Sequence, residues 1–349
     1  MLRARLALPC AILLLAAIAV CSDAFPAQPA ATYQFIKEIP VPGDGGWDYL
    51  SIDVDARRLY AAHSDHIDVI DIDHNKVIGT IADTPGVHGF ALAHELGRGF
   101  ASDGETSQIS IIDLKTLATI SRITTGTGPD AIVFESRRNE VYSFNGRGNS
   151  STVIDARNGK LIATIALPGK PEFAAVDPET DRVFVNIEDK NLIVAIDATS
   201  HKIAGLWQIA PCDSPSGLAI DTAHHRLFVG CRNQRMLMVD AQIGRVVTSV
   251  PIGKSVDANA YDPQLQLAFS SNGEGTVTVA HEATPETMTV VQTLQTQTGA
   301  RTMALDAMTH NIYLATADRV QPPAGSAASS RPAIVPGSFR ILVYGPGAH

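Results

Sequence analysis

Aromatic side chains are scarce in this chain: Phe, Trp and Tyr supply 6% of 349 residues. The 27 glycines and 20 prolines are scattered rather than clustered, which suits many short strands joined by turns. Cysteine is nearly absent. Of the four, Cys10 and Cys21 fall in the N-terminal segment, leaving Cys212 and Cys231. No run of Lys and Arg occurs, and 27 basic residues face 36 acidic ones, for a net charge of −9. An acidic chain repels phosphate backbones, so nucleic acid is not an expected partner. Past the N-terminus no apolar run is long enough to span a membrane. Also missing are a GxSxG elbow, an HExxH helix, a phosphate-binding loop and a Rossmann glycine motif. Serine-elbow hydrolysis, zincin chemistry and nucleotide hydrolysis lose their usual signatures with them.

What is present begins with a leader. Arg3 and Arg5 precede an apolar stretch from Leu6 to Val20, and Ser22-Asp23-Ala24 offers small residues before a cut at Phe25. Residues 1–24 therefore read as a signal peptide, and 25–349 as one mature domain. The alternatives are a retained anchor or lipidation at Cys21, although Val20 stands where a small residue is wanted. An exported chain meets an oxidising compartment, so Cys212 and Cys231 are a candidate disulfide, against two buried thiols. The expected location is periplasmic or secreted, with no transmembrane segment after cleavage. The mature chain is expected to be a monomer.

The dominant signal is internal repetition. An apolar run ending in Asp recurs as VIDID (69–73), IIDL (111–114), VIDA (153–156), AIDA (195–198) and MVDA (238–241). Asp71, Asp113, Asp155, Asp197 and Asp240 are 42, 42, 42 and 43 residues apart. A degenerate copy, VAHEA (279–283), puts His281 in the Asp position, and a last copy is ILVYG (341–345). In phase with these runs an aromatic series: Tyr60, Phe100, Tyr142, Phe184, Phe228, Phe269 and Tyr313. Each period supplies four short strands, the size of one propeller blade. Seven copies predict an all-β, seven-bladed β-propeller. The recurring Asp residues are assigned to capping turns rather than to a site.

The two ends complement each other. The last copy lacks a fourth strand, while YQFIKEIP (33–40) resembles the fourth strands of other copies. Pairing them would close the ring and cover an open edge. Residues 319–338, rich in Pro, Ala and Ser, interrupt the seventh blade between its second and third strands. They read as a mobile loop, either a spacer or a flap over the face where it emerges.

RVFVNIEDKNLIVAIDATSHKIAGLWQI and RLFVGCRNQRMLMVDAQIGRVVTSVPIG resemble YVTN-type repeats, and residues 33–345 as a whole resemble the YncE-like β-propeller family. The resemblance implies a periplasmic or secreted propeller and no particular activity. Some relatives are linked to single-stranded DNA or to outer-membrane uptake systems. Similar seven-bladed repeats occur in lactonases.

Aligning the repeats gives two rings of candidate residues. The first follows the turn into each inner strand: Asp48, His88, Asp130, Glu172, Ser216, Asp257 and Arg301. The second lies three residues after each aromatic marker: His63, Asp103, Asn145, Ile187, Cys231, Asn272 and Thr316. Both are expected near one face, with Cys212 beside Cys231. Converging charge must be paired, solvated or metal-bound. Pairing would join Asp257 or Asp48 to Arg301. A hard cation would take Asp130, Glu172, Asn145 and Asp257. A softer divalent metal would take His63 and His88 with Asp48 or Asp103. Without metal, His88 beside Asp48 or Asp130 is the candidate base for lactone or ester hydrolysis. Trp47 and Tyr49 flank Asp48 as pocket wall or ordinary packing. His224 and His225, in a turn on the opposite side, are expected to be merely solvated. The first functional reading is a binding propeller for a small molecule, metal or protein partner at the channel mouth. The alternatives are a lactonase-type hydrolase at the same place and a protein-interaction scaffold.

Overall fold

The computed structural model describes residues 32–320 and 332–347. The leader, its cleavage site and Cys21 lie outside the described residues, as does the middle of the 319–338 insertion. Among the described residues no helix is long and apolar enough to cross a membrane.

Among the described residues twenty-eight strands form seven four-stranded antiparallel sheets. In six of them the strands follow chain order, from the blade of Trp47–Asp53 to Lys76–Ile81 onward. The seventh combines Met303–Asp306, Asn311–Thr316 and Arg340–Pro346 with the N-terminal strand Tyr33–Pro40. Tyr33 pairs with Pro346 and Pro40 with Arg340, so the first strand closes the last blade and removes its open edge. The protein is a seven-bladed β-propeller.

The core explains why the aromatic series recurs. Seven apolar clusters fill the seven gaps between neighbouring blades. Tyr60, Phe100, Tyr142, Phe184, Phe228, Phe269 and Tyr313 are all buried, and each packs into the gap before the next blade. One large ring per period seals each interface, so few aromatics suffice. The recurring Asp residues cap turns. The Asp71 carboxylate accepts the backbone N–H groups of Asp73 and His74 at 3.0 and 2.8 Å. Asp113, Asp155, Asp197 and Asp240 accept the same kind of bond from the residues two or three ahead.

The described base of the insertion is a small ladder. Arg319 bridges Ile334, and the Val335 N–H donates to the Asp318 carbonyl at 2.8 Å. Pro332, Ala333 and Ile334 line a cavity with Gly46, Trp47 and Arg301, on the mouth side of the ring.

Candidate functional site

A repeated backbone irregularity builds the channel mouth. In six blades the first residue of the inner strand pairs with the last residue of the second strand. The pairs are Trp47–His63, Val87–Asp103, Pro129–Asn145, Pro171–Ile187, Pro215–Cys231 and Val256–Asn272. The register then slips by one residue before pairing resumes. Asp48, His88, Asp130, Glu172, Ser216 and Asp257 each follow the first pair, at the bulge. A bulge frees a residue from the ladder and re-aims its side chain. Gly86 and Gly128, at φ +62 and +63°, make the left-handed turns two residues before His88 and Asp130.

These side chains converge. Tyr49, inside the channel, has its phenol pushed well above the ordinary range by burial and by the charges of Asp130, Glu172, Asp48 and Asp257. One hydroxyl feels four carboxylates. Burial and the Asp48 and Asp257 charges push Asp130 up to about 6, although His88 and Lys170 oppose them. Asp257 is pushed up to about 6 by burial, with Arg301 opposing and Asp48 and Glu172 reinforcing. Glu172 is raised by burial and then by Asp130 and Glu188. Negative charge is therefore under-compensated at this mouth.

His88 is the hub. Its Nδ1 lies 2.6 Å from Asp48 Oδ2 and 3.7 Å from Asp130 Oδ1. Burial alone would lower its pKa, but the Asp48 bond and the Asp130 charge outweigh it and raise the value. Asp48, His88 and Asp130 each present a donor atom within 4.8 Å of the others, a spacing compatible with one metal ion. The Arg301 Nε lies 3.5 Å from Asp257, so the expected pairing goes to Asp257, while Asp48 is held by His88. Two cavities flank the cluster. One of about 640 Å³ is lined by Asp44, Asp48, Asp65, His88, Glu105 and Arg147. The other, about 380 Å³, is lined by Arg232, Asp257, Arg301, Arg319 and Pro332. Deeper in the channel Tyr49 meets the edge of Phe173 at 4.9 Å above an apolar space of about 190 Å³.

No protein-family model matches the chain. The uncharacterized protein YncE of Salmonella typhi is 28% identical over 193 residues, 53% of this chain and 53% of the relative. The uncharacterized YncE of Salmonella typhimurium strain LT2 is 27% identical over 193 residues. The chain is a seven-bladed propeller that is similar to YncE over about half its length. It spans about half the length of the curated relatives it matches.

The second ring does not reach the mouth. His63, Asp103, Asn145 and Asn272 are all fully buried. His63 Nδ1 is 2.9 Å from Asp68 Oδ2, and His66 Nε2 is 3.6 Å from the same oxygen. Asp103 accepts from Ser110 at 2.6 Å, and burial pushes it up to about 6. Asn145 donates to Ser150 and Thr152, and Asn272 to Thr276 and Thr278. Ile187, Cys231 and Thr316 are likewise buried. The combinations of His63 with His88, and of Asn145 with Asp130, are therefore not assembled: His63, Asp103, Asn145 and Asn272 are each bonded inside their own blade. Cys212 and Cys231 are joined by a disulfide with Cα atoms 5.4 Å apart.

Trp47 stacks on Phe339 at 5.5 Å and also lines the flanking cavities, and Tyr49 packs edge-on against Phe173, so both alternatives of the sequence reading are present. One further outcome differs from the sequence reading. His224 and His225 are not merely solvated. His224 Nδ1 is 2.5 Å from Asp221, and His225 Nδ1 is 2.9 Å from buried Asp177 of the preceding blade. Lys170, Glu188, Arg147 and Arg232 were missed at the mouth. Lys170 Nζ reaches Glu172 and Glu188 at 2.9 and 2.5 Å, and Arg232 meets Glu188 at 2.9 Å. Lys170 directly precedes the Pro171-Glu172 turn, and Arg147 and Arg232 follow second-ring positions, so loop position was the available signal.

Proposed function

We propose that this propeller is an exported binding protein that takes up a divalent cation, and through it a small-molecule ligand, at the acidic channel mouth. The observation that carries the reading is the convergence of Asp48, His88 and Asp130, whose donor atoms lie within 4.8 Å of one another, at a mouth where Glu172 and Asp257 take the same bulge position in their blades. Carboxylates held together gain by ligating a cation, which replaces mutual repulsion with attraction. Oxygen-rich donors favour a hard ion, and His88 admits a softer one. The flanking cavities give a ligand room beside the ion. The Cys212–Cys231 disulfide and the Arg3/Arg5 leader support export.

One observation favours a second reading, metal-assisted or His-based hydrolysis of lactones or esters. Asp48 holds His88 Nδ1 at 2.6 Å, which leaves Nε2 to take a proton from water. A scaffold for protein partners would not need this dyad.

The test is metal content of the purified mature chain, with its melting temperature measured with and without a chelator. A stoichiometric ion whose removal lowers the melting point, and whose binding weakens in Asp130→Asn, supports the reading. No bound metal, no chelator effect and no calorimetric response to Ca²⁺, Mg²⁺ or Zn²⁺ would overturn it. Turnover of a lactone panel, lost in His88→Ala, would move the protein to the hydrolase reading.

A further inference from the structure

On the face opposite the mouth, the repeat breaks at His224, Tyr261 and Glu282, which meet in space around Asp221, the buried acid that ends the inner strand here as Asp53, Asp177, Asp262 and Asp306 do in other blades. In blades one to five the residue after the recurring Asp is Ile72, Leu114, Ala156, Ala198 or Ala241, all buried. In blade six that register position is Glu282: Leu267 pairs with His281, as Arg226 pairs with Asp240 in blade five. A carboxylate thus occupies a core position and is fully buried. Burying an ionised carboxylate is costly unless charge or hydrogen bonds offset it.

The local partners do not offset it. Glu282 Oε2 accepts from the Tyr261 hydroxyl at 2.6 Å, but Oε1 has no hydrogen-bond partner. The group nearest to it in kind is another buried carboxylate, Asp221, at the end of the inner strand of blade five. Burial raises the Glu282 pKa, and contact with Asp221 raises it further against the pull of Tyr261 and His224. The neighbouring cation, Arg226, is engaged elsewhere: with the His224, His225 and Pro285 carbonyls, Glu286 and Asp240. His224, in the turn after Asp221, places Nδ1 2.5 Å from Asp221 Oδ2. At the equivalent turn positions other blades have Ala56, Leu96, Arg138, Thr180, Leu265 and Thr309. Asp221, His224 and Glu282 each present a donor atom within 4.8 Å of the other two.

We propose that Asp221, His224 and Glu282 form a divalent metal site bridging blades five and six, with the Tyr261 hydroxyl at its edge. One imidazole nitrogen and two carboxylate oxygens suit a borderline ion of the zinc class. The ion replaces the attraction between His224 and Asp221, which must open to the roughly 3.3 Å edge of a zinc tetrahedron. His224 stands in a half-exposed turn and can move that far, and its open side admits water as a fourth ligand. Two carboxylates on one divalent ion leave no net charge in the interface. Asp221 belongs to blade five and Glu282 to blade six, so the ion ties the two together. This site is independent of the mouth.

The test is titration of the chelator-treated mature chain with ZnCl₂, followed by anomalous diffraction at the zinc edge. Glu282→Ala is the decisive variant, because blades three to five carry Ala at that register position. The wild type is expected to bind one zinc equivalent that Glu282→Ala loses and the mouth variant Asp130→Asn keeps. His224→Asn is expected to weaken that equivalent at least tenfold. An anomalous peak among the three side chains completes the case. The proposal is overturned if Glu282→Ala binds as much zinc as the wild type, or if the map is empty there. It is also overturned if zinc leaves the wild type's melting point unchanged and Glu282→Ala is the more stable protein, for then the two carboxyls share a proton.

Discussion

Asp130→Asn at the mouth should stabilise the metal-free protein at pH 8 and do almost nothing at pH 4. Asn matches the protonated acid in size, so the substitution removes charge with little change of shape. In the folded chain Asp130 is pushed up to about 6 from an ordinary 3.8, chiefly by burial. Its side chain is 21% exposed, so solvent screening is partial. Because the folded value is the higher one, the native state keeps a proton that the unfolded chain has already released between these two values. Stability therefore falls as pH rises through that interval, and the loss is complete above the folded pKa. That interval corresponds to about 3 kcal/mol, an upper limit for this one carboxylate.

Urea unfolding of both proteins, with chelator, at pH 4, 6 and 8 measures the effect. The variant's advantage should grow with pH toward that limit. Adding the cognate cation at pH 8 should then reverse the order, since only the wild type gains the missing ligand. If Asp130→Asn is destabilising at pH 8 without metal, His88 and Lys170 already compensate the charge. The argument for a cation-hungry mouth would then fail.

Three other outcomes follow from the same geometry. Asp48→Asn should lower the His88 pKa, read from the imidazole resonances by NMR; an unmoved titration would mean that the 2.6 Å contact does not hold the imidazolium. Cys212→Ala opens a cross-link between residues 19 apart and should cost about 3 kcal/mol in urea unfolding. A reductant should do the same to the wild type, and equal stabilities would refute the structural role of the bond. Deleting residues before Gly43 removes the closing strand Tyr33–Pro40 and bares the edge of Arg340–Pro346. That chain should aggregate on size exclusion and be rescued by the peptide 32–41 in trans; a stable, monodisperse truncation would contradict closure by this strand.

The fold was legible because each period repeats both its turn-capping Asp and its interface aromatic, and these two markers locate four strands without any other information. The first ring was legible for a related reason: a polar residue just inside an apolar strand has to face water or a partner. The second ring was misread through side-chain direction. Cross-strand partners lie on one face of a sheet. His63 pairs with Trp47, Asp103 with Val87 and Asn272 with Val256, so each shares the face of a buried neighbour rather than that of the next residue along. The bulge that turns Asp48, His88 and Asp257 into the channel leaves no mark on residue type, which is why the two rings looked alike in sequence.

The same reasoning says where function should be sought in a ring of near-copies. A feature present in every blade, such as the capping Asp, is explained by what every blade needs. Glu282 has no such explanation, because five blades show that an apolar side chain fills its position. Read alone, VAHEA looks like a decayed copy of the motif. Placed beside Asp221, His224 and Tyr261 from other stretches of chain, its glutamate becomes a second carboxylate in a closed interface. A random loss of repeat character would place one polar group against apolar neighbours. Here the departures from three segments and two blades face one another with complementary chemistry, which is the pattern a ligand imposes.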